Sequence, residues 1–277
     1  VNRHIGAIKS LPADVVALAE TALTEGGQKQ AAIELAAGDR GLRSIWGAPK
    51  AERKVSGRRR QSTWDAVPGG VGALARKPIG LQAIELGLPR EELIHEGEPD
   101  LMSEGRLVHV ATPVGTGRTA VHLLVCYGFS GARSGEPRAK EANEKAIAQV
   151  FRRAAAVKGT PTLVLGDFND EPDTSPALAA VLATGQWHDL ALLQAEKQEP
   201  PSPMAPTFSN KRGSSRIDQI YANAEASAAF HELVVGEDGE YEFPGHRPVF
   251  DSFRWASLNQ EGQAVRKPRP FPLPPPT

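Results

Sequence analysis

Thr162-Leu163-Val164-Leu165-Gly166-Asp167-Phe168-Asn169-Asp170 is a short apolar run that leads directly into a glycine and then into closely spaced polar side chains. A run of this length, bounded by a turn residue, reads as a buried strand. In a strand, alternate side chains share a side, so Asp167 and Asn169 are expected to project together from its C-terminal end. Functional groups commonly stand at that end in α/β proteins. The alternative is an Asx turn that simply ends the strand, since Asp and Asn are favoured there in any case.

Working outward, residues 13–18, 106–111, 121–127, 216–222, 232–235 and 248–253 are further strand-length runs rich in Val, Leu or Ile. Three helices are expected. Residues 28–37 are closed by Gly38, and residues 137–157 open on Pro137, carry an apolar stripe from Ala139 to Ala154 and close at Gly159. Residues 176–184 have Ser175 as N-cap, Pro176 at the first helical position and Gly185 just past the end. Most strands have no helix of their own between them, so a purely parallel sheet fits poorly. Two packed mixed sheets with outer helices fit better.

Composition narrows the class. The chain has 277 residues, 40% hydrophobic and 23% charged, enough apolar content for a core. No apolar run reaches the roughly 18 residues of a membrane helix, so no membrane partner is expected. With 32 basic and 33 acidic residues the net charge is −1, so polyanion affinity must come from a local patch. Lys50, Arg53, Lys54, Arg58, Arg59 and Arg60 form such a run; it reads equally as a phosphate-tracking patch or a solvated loop. Gly115-Thr-Gly-Arg-Thr119 lacks a phosphate-loop lysine and reads as a hairpin turn. The single cysteine, Cys126, cannot form an internal disulfide, which points to an intracellular setting. The start at Val1, with no leader, reads as a fragment or processed chain. Six prolines between Pro268 and Pro276 favour an extended tail or linker, and Pro200, Pro201, Pro203 and Pro206 an internal surface loop. The expected organisation is one domain over residues 1–255, followed by a tail over 256–277.

Two more segments carry chemistry. In Ser214-Ser-Arg216-Ile-Asp218-Gln-Ile220-Tyr221, strand alternation puts Asp218 on the face of Ile220, opposite Ile217 and Tyr221. A carboxylate there needs a partner. His246, in Gly245-His-Arg-Pro-Val249, stands at the mouth of the last strand. The two suggest an imidazole oriented by an aspartate. A core Asp bonded to backbone amides and a surface His are the alternatives.

Taken in order, Pro12-Ala-Asp-Val-Val-Ala-Leu-Ala-Glu20-Thr21, Gly69-Gly-Val-Gly-Ala-Leu-Ala-Arg76, Gly105-Arg-Leu-Val, Tyr127-Gly-Phe-Ser, Gly166-Asp-Phe-Asn169, Ser215-Arg-Ile-Asp218 and Gly245-His-Arg-Pro-Val249 resemble the successive signatures of the endonuclease/exonuclease/phosphatase, or DNase I-like, family. The resemblance implies a four-layer α/β/β/α sandwich, largely without the family's first strand, that hydrolyses phosphate esters with Mg²⁺ or Mn²⁺. It implies Glu20 as a metal ligand, with Asn2 at the end of the truncated first strand as a second. Tyr127 would contact the scissile phosphate, Asp167 would orient or deprotonate the attacking water, and Asn169 would bind phosphoryl oxygens. His246, oriented by Asp218, would stabilise developing charge or assist proton transfer. Apart from the resemblance, Arg58, Arg59 and Arg60 of the basic run are the substrate-binding candidates if that run is a phosphate-tracking patch.

One position departs from the pattern: Gly245 replaces an aspartate expected to help bind metal, and Glu242 is the nearest substitute in sequence. The Ser-Arg-Ile-Asp form is similar to nucleases, particularly the endonuclease domains of non-LTR retroelements, and unlike inositol polyphosphate phosphatases. The expected activity is therefore an endonuclease acting on DNA in preference to RNA, from a monomeric domain that suits a longer polyprotein. A phosphatase or phosphodiesterase acting on inositol phosphates or lipid headgroups, and a nucleic-acid-binding pseudoenzyme, are the alternatives.

Overall fold

The computed structural model describes residues 4–50, 69–114, 119–133, 135–211, 213–237, 239–241, 243 and 245–254. Asn2, Arg53, Lys54, Arg58, Arg59, Arg60, the turn at 115–118, Glu242 and the proline-rich tail lie outside the described residues. In chain order the elements are α1 (Ile5–Ser10), β1 (Val15–Leu18), α2 (Glu25–Ala36), β2 (Leu42–Trp46), β3 (Gly72–Arg76), β4 (Gln82–Ala83), α3 (Arg90–Leu93), β5 (Leu107–Val114), β6 (Thr119–Tyr127) and α4 (Pro137–Ala155). There follow β7 (Thr162–Asp167), α5 (Pro176–Ala183), β8 (Trp187–Asp189), α6 (Leu190–Glu196), β9 (Phe208–Asn210), β10 (Gly213–Ser215), β11 (Asp218–Asn223), α7 (Ala224–Ser227), β12 (Phe230–Val235) and β13 (Val249–Phe253).

The apolar runs build a six-stranded sheet in the order β4-β5-β6-β7-β11-β8. Its one parallel pair is β6–β7, linked by α4, because parallel neighbours need a crossover and antiparallel ones do not. One face carries Val110, Leu123, Val125, Leu163 and Ile220, and packs on Ala73 of β3, Val15 and Ala17 of β1, and Val249 and Phe253 of β13. The other face carries Leu124, Val164 and Tyr221 beneath Ile147, Val150 and Phe151 of α4 and Leu178 of α5. The antiparallel sheet β1-β3-β2 turns Val16, Leu42 and Leu74 outward against Ile8 of α1 and Ala31 and Leu35 of α2. Helices, sheet, sheet and helices form the four layers that the motif series implies. The second sheet layer consists of two pieces, β1-β3-β2 and β12–β13, and β1 and β13 are terminal strands.

Local chemistry sets the helix ends as expected. Ser175 Oγ accepts from the Leu178 amide at 3.2 Å, Pro176 opens α5, and Gly185 follows with φ 67°. α2 begins three residues before the sequence-expected Gln28. Thr24 accepts from Gly27 N at 3.3 Å, and this cap draws the poor helix formers Gly26 and Gly27 into the first turn. The loop with four prolines is followed by the small hairpin β9–β10.

Candidate active site

Asp167 ends β7 and Asp218 begins β11, and the antiparallel register places them directly opposite each other. Leu163 and Leu165 precede Asp167 on its side of β7, and Ile220 and Ala222 follow Asp218 on its side of β11; all four pack in the core between the sheets. Both carboxylates therefore project toward that inter-sheet space, as sequence alternation predicts for Asp218. Facing like charges oppose ionisation of one another. Asp167 is only 4% exposed, and burial first, then the Asp218 charge, push its pKa up to about 7. An acid held there switches protonation state near neutrality, as a general base must.

His246 supplies the partner that Asp218 requires. Its Nδ1 lies 2.9 Å from Asp218 Oδ2. Its ring sits 4.7 Å from that of Phe208, with which it forms an isolated bridge. Burial alone would lower the His246 pKa, but the hydrogen bond and charge of Asp218, joined by Asp167 and Glu20, raise it. Ligand atoms of Asp167, Asp218 and His246 all fall within 4.8 Å of one another. The bland alternatives, a backbone-bonded core Asp and a solitary surface His, do not describe this pair.

Asn169 is a correction. Strand alternation does not align it with Asp167, because β7 ends at Asp167 and Asn169 lies beyond it with φ 52°. Its backbone amide donates to Asp167 Oδ1 at 2.8 Å, so the turn reading and the functional reading describe one device: the Asx turn holds the carboxylate. Its side-chain Nδ2 reaches Gly128 O at 3.5 Å. Gly166 permits the strand to arrive here, since a Cβ on it would lie 1.9 Å from Cys126 O and its φ is 146°.

Glu20 follows β1 in a turn with φ 53°, and Thr21 N and Ala22 N donate to Gly70 O and Gly69 O at 3.0 and 2.8 Å. No helix begins at Glu20; α2 starts at Glu25. Glu20, Asp167, Asp218 and His246 line one cleft of about 470 Å³, whose walls include β1 and β13. Tyr127 stands opposite Asp167 in the parallel β6–β7 register, and its Oη lies 2.7 Å from Ser130 Oγ. It is 2% exposed, and burial, with the charges of Glu20 and Asp167, pushes it up to about 12. Tyr127 and Asn169 stand beside the cleft without forming its lining.

Asp167, Asp218 and His246 bring two carboxylates and one imidazole together, and Glu20 lines the same cleft; carboxylate oxygens of this kind suit a hard divalent cation. Glu20 is the donor among them free of the Asp218–His246 hydrogen bond and the Asp167 turn. Gly245 contributes no carboxylate. With φ 76°, it lies where a Cβ would meet the Phe208 ring at 3.0 Å and Ser209 O at 3.2 Å, so a side chain at this position is crowded as well as strained.

Sequence reading misses the residues that hold these turns. Asn143 of α4 is wholly buried; its Oδ1 accepts from Phe129 N at 2.8 Å and its Nδ2 donates to Phe168 O at 2.9 Å. It thereby links the loop after Tyr127 to the turn after Asp167. Gln219 donates to Asp170 O at 2.6 Å and Arg216 O at 2.7 Å and accepts from Tyr221 Oη. Arg216 forms a buried bidentate pair with Asp189, at 2.6 and 3.2 Å. The available signal for Asn143 is an amide within an apolar helical stripe, one turn before Ala146 and Ile147.

The sequence model of one family, described as Endonuclease/Exonuclease/phosphatase family, matches residues 5–257. No curated relative matches the chain. Among solved structures, the 3'-5' exonuclease NExo from Neisseria meningitidis has a TM-score of 0.62 at 19% identity, over 90% of this chain and 93% of that one. The catalytic domain of APE2 from Xenopus laevis gives 0.63 at 19% identity, over 90% and 85%. The endonuclease domain of TRAS1, a telomere-specific non-LTR retrotransposon, gives 0.55 at 15% identity, over 90% and 89%. At these identities the structural likeness speaks for the fold.

Proposed function

The chain belongs to the endonuclease/exonuclease/phosphatase family, and from that premise we propose that it is a divalent-metal-dependent endonuclease hydrolysing phosphodiester bonds in nucleic acid, DNA in preference to RNA. The observation that carries this reading is the cluster of Asp167, Asp218 and His246 in one cleft with Glu20. Mg²⁺ or Mn²⁺ held by Glu20, with water completing its shell, would neutralise charge on the phosphate and the leaving oxygen. Asp167, ionised above about pH 7, orients the attacking water and accepts its proton. Asn169, beside the cleft with its Nδ2 3.5 Å from Gly128 O, would offer its side-chain amide to phosphoryl oxygens at the cleft edge. Asp218 holds Nδ1 of His246 and favours the protonated ring, leaving Nε2 to stabilise charge on the phosphoryl group.

Purified protein is expected to nick supercoiled plasmid with Mg²⁺ and to stop when EDTA is added. Nicking that persists in both His246→Ala and Asp167→Asn would remove the proposed site. Gly245 favours a second reading, a protein that binds nucleic acid with impaired turnover. Plasmid retention without cleavage in Mg²⁺ supports that reading, and cleavage of inositol phosphates or lipid headgroups alone would redirect the assignment to a phosphatase.

A further inference from the structure

A lysine stands beside the site with no carboxylate in contact among the described residues. Lys50 follows β2, and its backbone amide donates to Leu23 O at 2.9 Å, near the turn that carries Glu20. Its Nζ donates to the main-chain carbonyl of Glu104. The same Nζ lies 2.7 Å from the point a Cβ on Gly69 would occupy, and that point is 3.7 Å from the Tyr127 ring. Lys50 therefore reaches across Gly69 to the edge of the tyrosine that neighbours Asp167.

A second cation adjoins the same ring. The Arg106 guanidinium is 5.3 Å from the Tyr127 centroid and 4.1 Å from that of Phe129. Its Nη1 donates to Tyr127 O and Gly128 O at 3.3 and 2.8 Å. The Glu104 carboxylate lies 3.7 Å from Arg106 Nε. Burial first, then the Arg106 charge, holds Lys50 below the ordinary lysine range. The charges acting on Lys50 are those of Arg106 and Glu104, so its own corner holds two cations against one carboxylate, partly withdrawn from water, while the Glu20 and Asp167 carboxylates act on the Tyr127 hydroxyl from the cleft. The excess cation in the Lys50 corner is destabilising by itself and is relieved by a bound anion.

We propose that Lys50 is the contact residue of a second phosphate subsite, with Arg106 contributing charge and the positioning of Tyr127, and that this subsite takes the phosphate next to the scissile one along a polynucleotide strand. The inference rests on the phosphodiesterase reading above and sharpens it, because a substrate using both positions must carry at least two phosphates. A lone diester or a headgroup monoester cannot.

The experiment compares a single-stranded decanucleotide with bis(p-nitrophenyl) phosphate, which has one diester and no neighbouring phosphate. Lys50→Ala is expected to raise KM for the decanucleotide about five- to tenfold with little change in kcat, and to reduce the slope of log affinity against log salt by about one. The effect on bis(p-nitrophenyl) phosphate should be several-fold smaller, and Lys50→Arg should restore most of the loss. Equal losses on the two substrates, or an unchanged salt slope, overturn the subsite. If the unaltered protein cleaves neither substrate, the phosphodiesterase reading has failed separately. Fluorescence anisotropy of a labelled decanucleotide in EDTA then decides the subsite: weaker binding by Lys50→Ala supports it, and unchanged binding overturns it.

Discussion

Two histidine pairings lie on opposite faces of the six-stranded sheet. On the cleft face His246 meets Asp218 at 2.9 Å; on the face beneath α4, His109 Nε2 meets His122 Nδ1 at the same 2.9 Å. Burial acts on both imidazoles in the same direction, against the charged ring. For His109, burial first and then His122 and the Arg153 guanidinium, the charged neighbours among the described residues, lower its pKa to about 3. His246 has Asp218, Asp167 and Glu20, and its pKa rises. The pairing distance is alike although His109 is 1% exposed and His246 is only part-buried; burial opposes the charged ring in both, and the neighbouring carboxylates reverse that effect at His246 alone.

Breaking the cleft pairing should have the largest effect. His246→Ala and Asp167→Asn are each expected to lower kcat on plasmid by about 10²–10⁴-fold, measured at saturating Mg²⁺. Removing only the charge that separates the two faces is a milder break. Asp218→Asn should lower kcat about 10- to 100-fold and move the alkaline limb of the pH–rate profile to lower pH, because the raised His246 pKa depends on that carboxylate. The sign follows from linkage. A His whose folded pKa is raised contributes stability that is fully present below its unfolded value, near 6.5, and is lost as pH climbs through the folded value. A limb that stays in place in Asp218→Asn would detach His246 from it.

A third change tests what holds the cleft face in position. Asn143→Ala leaves the Phe129 amide and the Phe168 carbonyl without their buried partner. A loss of about 1–3 kcal/mol in urea unfolding is expected, with kcat falling more than KM rises. The smallest effect belongs to the outer face. With its pKa lowered to about 3, His109 stays neutral in the folded protein while the unfolded chain takes up a proton below about 6.5. Stability should therefore decline as pH falls between those values, with a slope of at most about 1.4 kcal/mol per pH unit. His109→Leu should flatten this slope in thermal unfolding between pH 7 and pH 5. Among the described residues His109 Nδ1 is buried without a partner while Nε2 pairs with His122, so at pH 7 the substitution should cost no more than that one hydrogen bond, about 0.5–1.5 kcal/mol.

Much of the framework is legible residue by residue. The capped helix α5, the crossover helix α4 and the strand lying against each face follow from local periodicity and turn chemistry. Asp218 announces itself as a carboxylate among apolar positions, and His246 by its place at a strand mouth. β2, β3 and β8 are less legible: β3 reads Gly-Ala-Leu-Ala-Arg, is almost wholly buried, and shows neither alternation nor β-branched residues. Asn143 resembles a tolerated irregularity in a helical stripe until its two loop partners are in view.

By itself, the sequence determined which groups are available and where each element ends: an aspartate after a glycine-terminated apolar run, an aspartate on the buried side of a strand, a histidine at the last strand and a glutamate after the first. Local sterics, capping and period-two alternation act over a few residues and are written in the order of the chain. Only the tertiary structure decided that Asp218 stands opposite Asp167 and that His246 closes on Asp218 from 28 residues away. It also decided that the pKa values of His109 and His246, chemically identical, are displaced in opposite directions. Those outcomes depend on strand register and on which charges share a low-dielectric space, and both are set by contacts between segments far apart in sequence.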